Sequence, residues 1–360
     1  MKVALVHEFL TQYGGAERVL ENFAELFPDA AVYTLVHNPK AGFRHARIKT
    51  GALNFFAKLI PYKWLLPLMP RAIEQFDFND FDLLLSDSSA FAKGAITGKQ
   101  TMHISYCHTP TRYVWESQEE YLENQRLPKF VKLLAHLFIE NYLKKWDYRA
   151  AQRPHFLIAN SNTVKERIKK YYNRDADVIH PPVDTDFFRP MGGKQDYFFH
   201  ASRLEPYKRT DLVIEAFNKL KLPLKIAGSG THAERLKSQA LGNIEFMGRV
   251  SDEQLRQLYS GAKAFVFPAL EDAGIMVLES LACGTPVIGL AAGGTAEFVR
   301  DGENGILFKN QNASDIANAL QRFNTISWQP EKLRQSALPF DKKEFQKKIL
   351  SFIETHASRN

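Results

Sequence analysis

Cysteine is almost absent: Cys107 and Cys283 are the only 2 among 360 residues. Two isolated thiols so far apart build neither a disulfide framework nor a cysteine-rich zinc site. A reducing compartment is expected, with each thiol a small buried apolar group rather than a nucleophile. No apolar run approaches the roughly 18 residues of a membrane-spanning helix. The opening M-K-V-A-L-V-H-E-F breaks at His7 and Glu8, too short and too polar for a secretory signal core. A cytoplasmic protein is therefore expected. G-x-G-x-x-G and G-K-[ST] are both missing, which argues against a dinucleotide oxidoreductase and a P-loop NTPase. Zinc-finger spacing and RNP strings are missing too, so no nucleic-acid partner is expected. One long stretch is basic and without acid. Residues 40–73 hold Lys40, Arg44, Arg47, Lys49, Lys58, Lys63 and Arg71 without a single Asp or Glu.

What is present is ordinary for a globular chain: 45% hydrophobic and 24% charged residues, with a net charge of +7. The length suits about two domains. Strand-like runs at 3–6, 32–36, 83–86, 104–107, 156–159 and 178–179 alternate with helix-like runs. In 17–26, for example, Val19, Leu20, Phe23 and Leu26 recur at helical spacing. Strands separated by helices pair in parallel, the α/β class. Prolines and a Gly-Gly pair crowd 181–196, and then the alternation restarts. Strands are expected at 197–201, 224–227, 244–246, 264–267, 286–290 and 305–308. Helices are expected at 210–220, 252–260, 276–283, 296–299 and 313–323. The predicted organisation is an N-terminal domain over 1–183, a linker over 184–196 and a C-terminal domain over 197–340. A basic helix over 341–360 follows, with a return to the first domain as one option.

Open α/β sheets bind ligands beyond the C-terminal ends of their strands. Four loops there carry chemistry. Gly14 and Gly15 follow the first strand and open a helix, where bare backbone and free N–H groups suit an anion. Arg203 and Lys208 follow the first strand of the second half and are placed to converge on a diphosphate. Glu271 and Glu279 stand eight apart; Gly274 between them makes a tight turn, which puts Glu271 on a loop and Glu279 in a helix. His108 sits at a strand end of the first half.

The string E-D-A-G-I-M-V-L-E (271–279), followed by A-C-G-T-P-V-I and G-G-T-A-E, resembles the nucleotide-sugar signature of family 4 retaining glycosyltransferases with the GT-B fold. S-R-L-E-P-Y-K-R (202–209), N-S-N-T-V-K-E-R (160–167) and H-P-P-V-D-T-D-F-F (180–188) are similar to that family too. The strings V-H-E-F-L-T-Q-Y-G-G-A-E-R-V-L and H-T-P-T-R-Y-V-W resemble its bacterial O-antigen and polysaccharide mannosyltransferases.

The resemblance implies two Rossmann-like doubly wound domains facing across a cleft, acceptor-binding first and nucleotide-sugar-binding second, with closure assembling the site. It implies that Arg203 and Lys208 hold the donor diphosphate and that Gly14 and Gly15 approach it. Glu279 would take the ribose hydroxyls. Glu271 would contact the sugar, with backbone groups of Ala273, Gly274, Ile275 and Met276 nearby. His108 would line the sugar pocket, and Gly248 and Val250 would flank the base. Glu271, His108, Arg203 and Lys208 are the expected catalytic set. Ala273 departs from the family, many of whose members carry a larger residue there. No metal or other cofactor is expected. Asp184-Thr185-Asp186 matches a metal-binding D-x-D in letters but falls in the linker.

The implied donor is a nucleotide sugar, GDP-mannose first and a UDP-sugar as the alternative. The implied acceptor is a polyprenyl-diphosphate-linked oligosaccharide. Lys58, Lys63 and Trp64 in the acid-free stretch, and the apolar-basic run 127–146, would then meet an anionic membrane surface from the cytoplasmic side.

Overall fold

The computed structural model describes residues 1–116, 118–123 and 128–357. The chain divides into two compact units, the first made of Met1–His180 and the residues from Gln346 on, the second of Pro181–Phe345.

The first unit is built on a seven-stranded parallel sheet in the order β3-β2-β1-β4-β5-β6-β7. The strands are β1 (Val3–Leu10), β2 (Ala31–His37), β3 (Ile48–Thr50), β4 (Leu83–Ser88), β5 (Met102–Cys107), β6 (Phe156–Ala159) and β7 (Asp177–Val178). Every residue of β4 and β5 is buried, as helices on both faces of a parallel sheet require. The helix Gly15–Leu26 turns Val19, Leu20 and Phe23 inward, the face its spacing predicts. Strand order reverses between β1 and β4, where His7 lies directly beside Asp87. That reversal is where a parallel sheet opens a crevice for ligands.

The second unit has six parallel strands, β8 (Phe198–Ala201), β9 (Leu224–Ala227), β10 (Ile244–Gly248), β11 (Phe265–Phe267), β12 (Val287–Leu290) and β13 (Gly305–Phe308). Their order is β10-β9-β8-β11-β12-β13, so the reversal falls between β8 and β11. Tyr259, Phe199, Phe265 and Phe188 pack edge to face at its core, and Phe188 anchors the chain that leads into β8.

Two boundaries differ from the expectation. Residues 184–196 belong to the second unit rather than forming a separate linker, because Val183 and Phe188 are buried in its core. The helix expected at 296–299 starts three residues earlier, as Gly293–Phe298. A Gly-Gly pair reads as a loop on propensity, but here only glycine fits. A Cβ on Gly293, whose φ is +61°, would lie 2.3 Å from the Glu271 carbonyl oxygen. A third element, β3, lies in the acid-free stretch and has no signature beyond three residues at a sheet edge.

Candidate active site

Each unit gathers charged side chains at its own strand-order reversal. In the second unit, the loop leaving β8 passes through a single turn, Pro206–Lys208. Tyr207 lies between the two cations of that loop. The Arg203 guanidinium stands 5.8 Å from its ring centre and the Lys208 ammonium 5.0 Å. Such cation–π contacts hold flexible side chains without neutralising them. The Lys208 ammonium also pairs with the Glu271 carboxylate, which comes from the loop after β11. Lys208 and Glu271 thus meet across the reversal.

Gly274 caps the helix Ile275–Ala282 from the left-handed region, at φ +64°, which separates the Glu271 loop from the helix that carries Ile275, Met276 and Glu279. Glu279 is buried, and its Oε2 accepts a hydrogen bond from the Tyr259 hydroxyl at 3.2 Å. The loop of Glu271 and Ala273 rests on the next strand's exit: the Gly294 N–H donates to the Glu271 carbonyl at 2.8 Å. Gly248 closes β10 at φ +66°, and its carbonyl accepts the Gly228 N–H at 2.7 Å. Val250, two residues on, packs part-buried on the core.

In the first unit, Asp87 on β4 is fully buried between two histidines. Its Oδ2 lies 2.8 Å from His7 Nδ1, and its Oδ1 lies 2.6 Å from His108 Nε2. His7 Nε2 faces Glu17 Oε1 at 3.7 Å, and Glu17 Oε2 accepts the Gly14 N–H at 2.9 Å. Gly14 and His108 are therefore joined through Glu17, His7 and Asp87. Burial by itself would lower the His7 pKa, but hydrogen bonds to Asp87 and Glu17 and the charges of Asp87 and Glu8 hold it well above the ordinary value. Burial would raise Asp87, yet the charge and hydrogen bond of His108, then those of His7, pull it below the carboxylate range. Glu8, next along β1, turns Oε1 onto the Ser88 hydroxyl and the N–H groups of Ser89, Ala90 and Ala92 at 2.7–3.0 Å.

A second buried charge holds the loop behind His108. Asp147 accepts from Lys93 Nζ at 2.6 Å, Thr111 Oγ1 at 2.8 Å, Trp115 Nε1 at 2.7 Å and the Tyr172 hydroxyl at 2.8 Å.

Both cysteines are buried, and burial pushes the Cys283 thiol up to about 12. Asp184 and Asp186 each pair with a lysine, Lys342 at 3.0 Å and Lys343 at 2.8 Å, while Thr185 bonds Asp341. The D-x-D string is thus engaged in fastening the second unit's own ends.

The acid-free stretch exposes Phe55, Phe56, Leu59, Ile60, Lys58 and Trp64, the last at 60%. The Lys63 side chain lies outside the described residues, as does Leu127. The helix Lys129–Phe138 turns Phe130, Leu133, Leu134 and Leu137 outward and packs Ala135 and Phe138 against the core. No helix among the described residues is long and apolar enough to cross a membrane.

Comparison with known sequences accounts for both halves. Residues 13–187 match the profile described as Glycosyltransferase Family 4, and residues 184–338 match that of Glycosyl transferases group 1. The chain belongs to the family 4 glycosyltransferases. A curated relative of the family, the D-inositol 3-phosphate glycosyltransferase of Streptomyces bingchenggensis, is 28% identical over 203 residues, 47% of this chain and 45% of that protein. The match spans about half the length of the curated relatives. Among solved structures, sucrose-phosphate synthase of Thermosynechococcus elongatus aligns with a TM-score of 0.76 at 16% identity, covering 100% of both chains. Anabaena HepE in complex with UDP aligns with a TM-score of 0.72 at 16% identity, covering 99% of this chain and 100% of the other. At such identities the likeness shows the fold, which is GT-B.

Within this family 4 chain the sequence reading missed His7, Asp87, Glu17, Tyr207 and Tyr259. A signal existed for three of them. His7 interrupts an apolar strand, Asp87 follows L-L-L-S, and Glu17 stands three residues after Gly14, the spacing of a reciprocal helix cap. Polar letters inside a strand that must be buried need partners.

Proposed function

We propose that the chain is a retaining glycosyltransferase that moves a sugar, mannose from GDP-mannose, onto a lipid-linked oligosaccharide of a cell-surface polysaccharide. The observation that carries the reading is the Lys208–Glu271 pair, with Arg203 beside it on Tyr207, at the strand-order reversal of the second unit. Two cations that a carboxylate and a ring hold in place suit a diphosphate whose charge grows as the glycosidic bond breaks. In this reading Arg203 and Lys208 stabilise the leaving diphosphate. Glu271 holds the sugar hydroxyls, assisted by the backbone of Ala273, Gly274, Ile275 and Met276. Glu279 holds the ribose, and Gly248 and Val250 flank the base. The bond from the anomeric carbon to the β-phosphate oxygen breaks, and the acceptor oxygen bonds to that carbon on the same face. The acceptor's proton passes to a β-phosphate oxygen, giving the nucleoside diphosphate.

A lipid-linked acceptor is supported by the exposed Phe55, Leu59 and Trp64 beside Lys58, and by the outward apolar row of the helix Lys129–Phe138. Such surfaces suit an anionic bilayer, and in this reading the protein works peripherally at the inner face of the bacterial plasma membrane. Replacing Lys58 and Lys63 by Ala is expected to weaken binding to anionic vesicles in sedimentation; unchanged binding returns the stretch to a structural role.

A UDP-sugar donor is the second reading, and the UDP complex of HepE favours it. Thermal stabilisation by GDP, GDP-mannose, UDP, UDP-glucose and UDP-N-acetylglucosamine, without added metal, separates the two. A ligand at 100 times its Kd contributes about 2.7 kcal/mol, a shift of a few degrees for a protein of this size. A shift with guanine nucleotides alone supports mannose transfer. A shift with uracil nucleotides alone overturns the donor, and no shift with any overturns the reading. Lys208→Ala and Glu271→Ala should each lower turnover at least ~100-fold; near-normal rates in either overturn the residue assignment.

A further inference from the structure

We infer that His7 and Asp87 are positioning residues that fix the His108 imidazole as its Nε2–H tautomer and leave Nδ1 as an acceptor for a substrate hydroxyl. The hydroxyl rests on the transferase reading; the tautomer rests on the geometry alone.

The chain of contacts fixes every hydrogen. His7 has a carboxylate at each ring nitrogen, Asp87 at 2.8 Å and Glu17 at 3.7 Å. A neutral imidazole has one N–H and would turn a lone pair on one of these carboxylates, so His7 carries both hydrogens. Asp87 is fully buried and, as a carboxylate, only accepts. Its Oδ2 takes His7, so the 2.6 Å contact of Oδ1 must be a hydrogen bond donated by His108 Nε2. In the neutral form of His108 that leaves the lone pair on Nδ1, which no described residue bonds.

The neighbours hold that arrangement rather than compete with it. Tyr106 packs edge-on against the His108 ring with centroids 5.3 Å apart, while its own hydroxyl donates to the Ile179 carbonyl. Asn160 holds the His108 backbone carbonyl at 3.0 Å, and the His108 N–H donates to Ser88 at 2.8 Å. Glu8 is engaged by four donors of the β4 exit. The titratable groups around the array are thus Glu8 on β1, Glu17 on the helix Gly15–Leu26, Asp87 on β4, Tyr106 on β5 and His108 beyond it. The His7 cation faces both Asp87 and Glu17, and Glu17 in turn accepts the Gly14 N–H.

The test uses full-length protein labelled with 15N-histidine. In the wild type, long-range 1H–15N spectra near pH 8 should show His108 protonated at Nε2 only and His7 at both nitrogens. In Asp87→Asn the amide accepts at one atom only. His7 takes that oxygen and the NH2 faces His108, so the tautomer should reverse. Turnover should then fall at least ~30-fold, while the Kd of whichever nucleotide the wild type binds stays within about threefold. Glu17→Gln keeps an acceptor for the Gly14 N–H and turns an NH2, in place of a charged oxygen, toward His7. It is the milder change if Asp87→Asn does not fold. It should lower the pH at which His7 loses its second proton and move the alkaline limb of the rate profile with it. A wild-type His108 protonated at Nδ1 overturns the inference. So does unchanged turnover in a variant whose tautomer has reversed. A wild type inert toward every nucleotide sugar sinks the transferase reading instead, and the spectra alone then decide the tautomer.

Discussion

In the proposed reading, a diphosphate arriving at Lys208 would compete with the Glu271 carboxylate already paired there. The Glu271 side chain is 23% exposed and that of Lys208 12%, so water screens their attraction only in part. Glu271→Gln removes the competitor and keeps the size and hydrogen-bonding atoms of the side chain. Calorimetry should show the nucleoside diphosphate binding about two- to fivefold more tightly, the equivalent of the ~0.5–1 kcal/mol typical of such a pair. Turnover of the whole nucleotide sugar should fall in the same variant, because the sugar loses its carboxylate. Weaker diphosphate binding would show that Glu271 orients Lys208 rather than occupying it. Lys208 and Glu271 were named from the sequence because each sits in a string that resembles the family's signature. Asp87 was legible as a polar letter in a buried strand, but its partners were not. Nothing in L-L-L-S-D-S says that the partners of a buried carboxylate come from residue 7 and residue 108, because that information lies in sheet register and strand order.

The element scale shows why the loops hold their shape. Gly294 lies so close to the Glu271 loop that a Cβ there would come within 2.5 Å of the Ala273 backbone. Backbone cannot swing aside as a flexible side chain can, so Gly294→Ala must shift the loop that carries Glu271. The expected result is a stability loss of about 1–3 kcal/mol by urea unfolding and a larger fractional loss of turnover than of nucleotide affinity. Equal wild-type activity would show that the loop is not held from this side. Strand positions were readable because a buried parallel strand is a short apolar run with turn residues at its ends. Helix faces were less so. The helix Lys129–Phe138 has the periodicity of an amphipathic helix, and periodicity reveals a stripe without saying what covers it. Its outward row became visible only once Ile139 and Leu143 were seen to do the burying.

For the whole molecule, buried histidines of opposite kind set the response to pH. Burial, with the charges of His155, Arg153 and Arg174, lowers His103 in the first unit to about 3, and burial lowers His200 in the second to about 4. In the unfolded chain both titrate near 6.5. Below that pH the unfolded chain takes up protons that the fold refuses. Stability should therefore fall by about 1.4 kcal/mol per pH unit for each, until the folded values are reached. His7 acts in the other direction. Its folded pKa is raised, so its contribution is complete below about 6.5 and is lost as pH rises through the folded value. Asp87, lowered in the fold, contributes above about 3.9 and loses that contribution as pH falls through its folded value. Urea unfolding between pH 4 and 9 should show both limbs, and His200→Gln should flatten the acid limb by one proton's slope. An unchanged slope would mean that His200 titrates freely in the fold.

The helix Lys342–Ala357 starts in the second unit and runs on into the first, where Gln346 bonds Glu25 at 2.8 Å and His356 lies 4.1 Å from the Phe156 ring. Ile349 and Ile353 are buried along it. The order of synthesis is therefore not the order of completion. A ribosome delivers the seven strands of the first sheet early, yet that unit waits for residues made some 165 positions later. The second unit, contiguous from Pro181 to Phe345, is finished before the first. A chain truncated just past residue 345 would carry a complete second unit and a first unit still open along the surface where Gln346 and His356 dock.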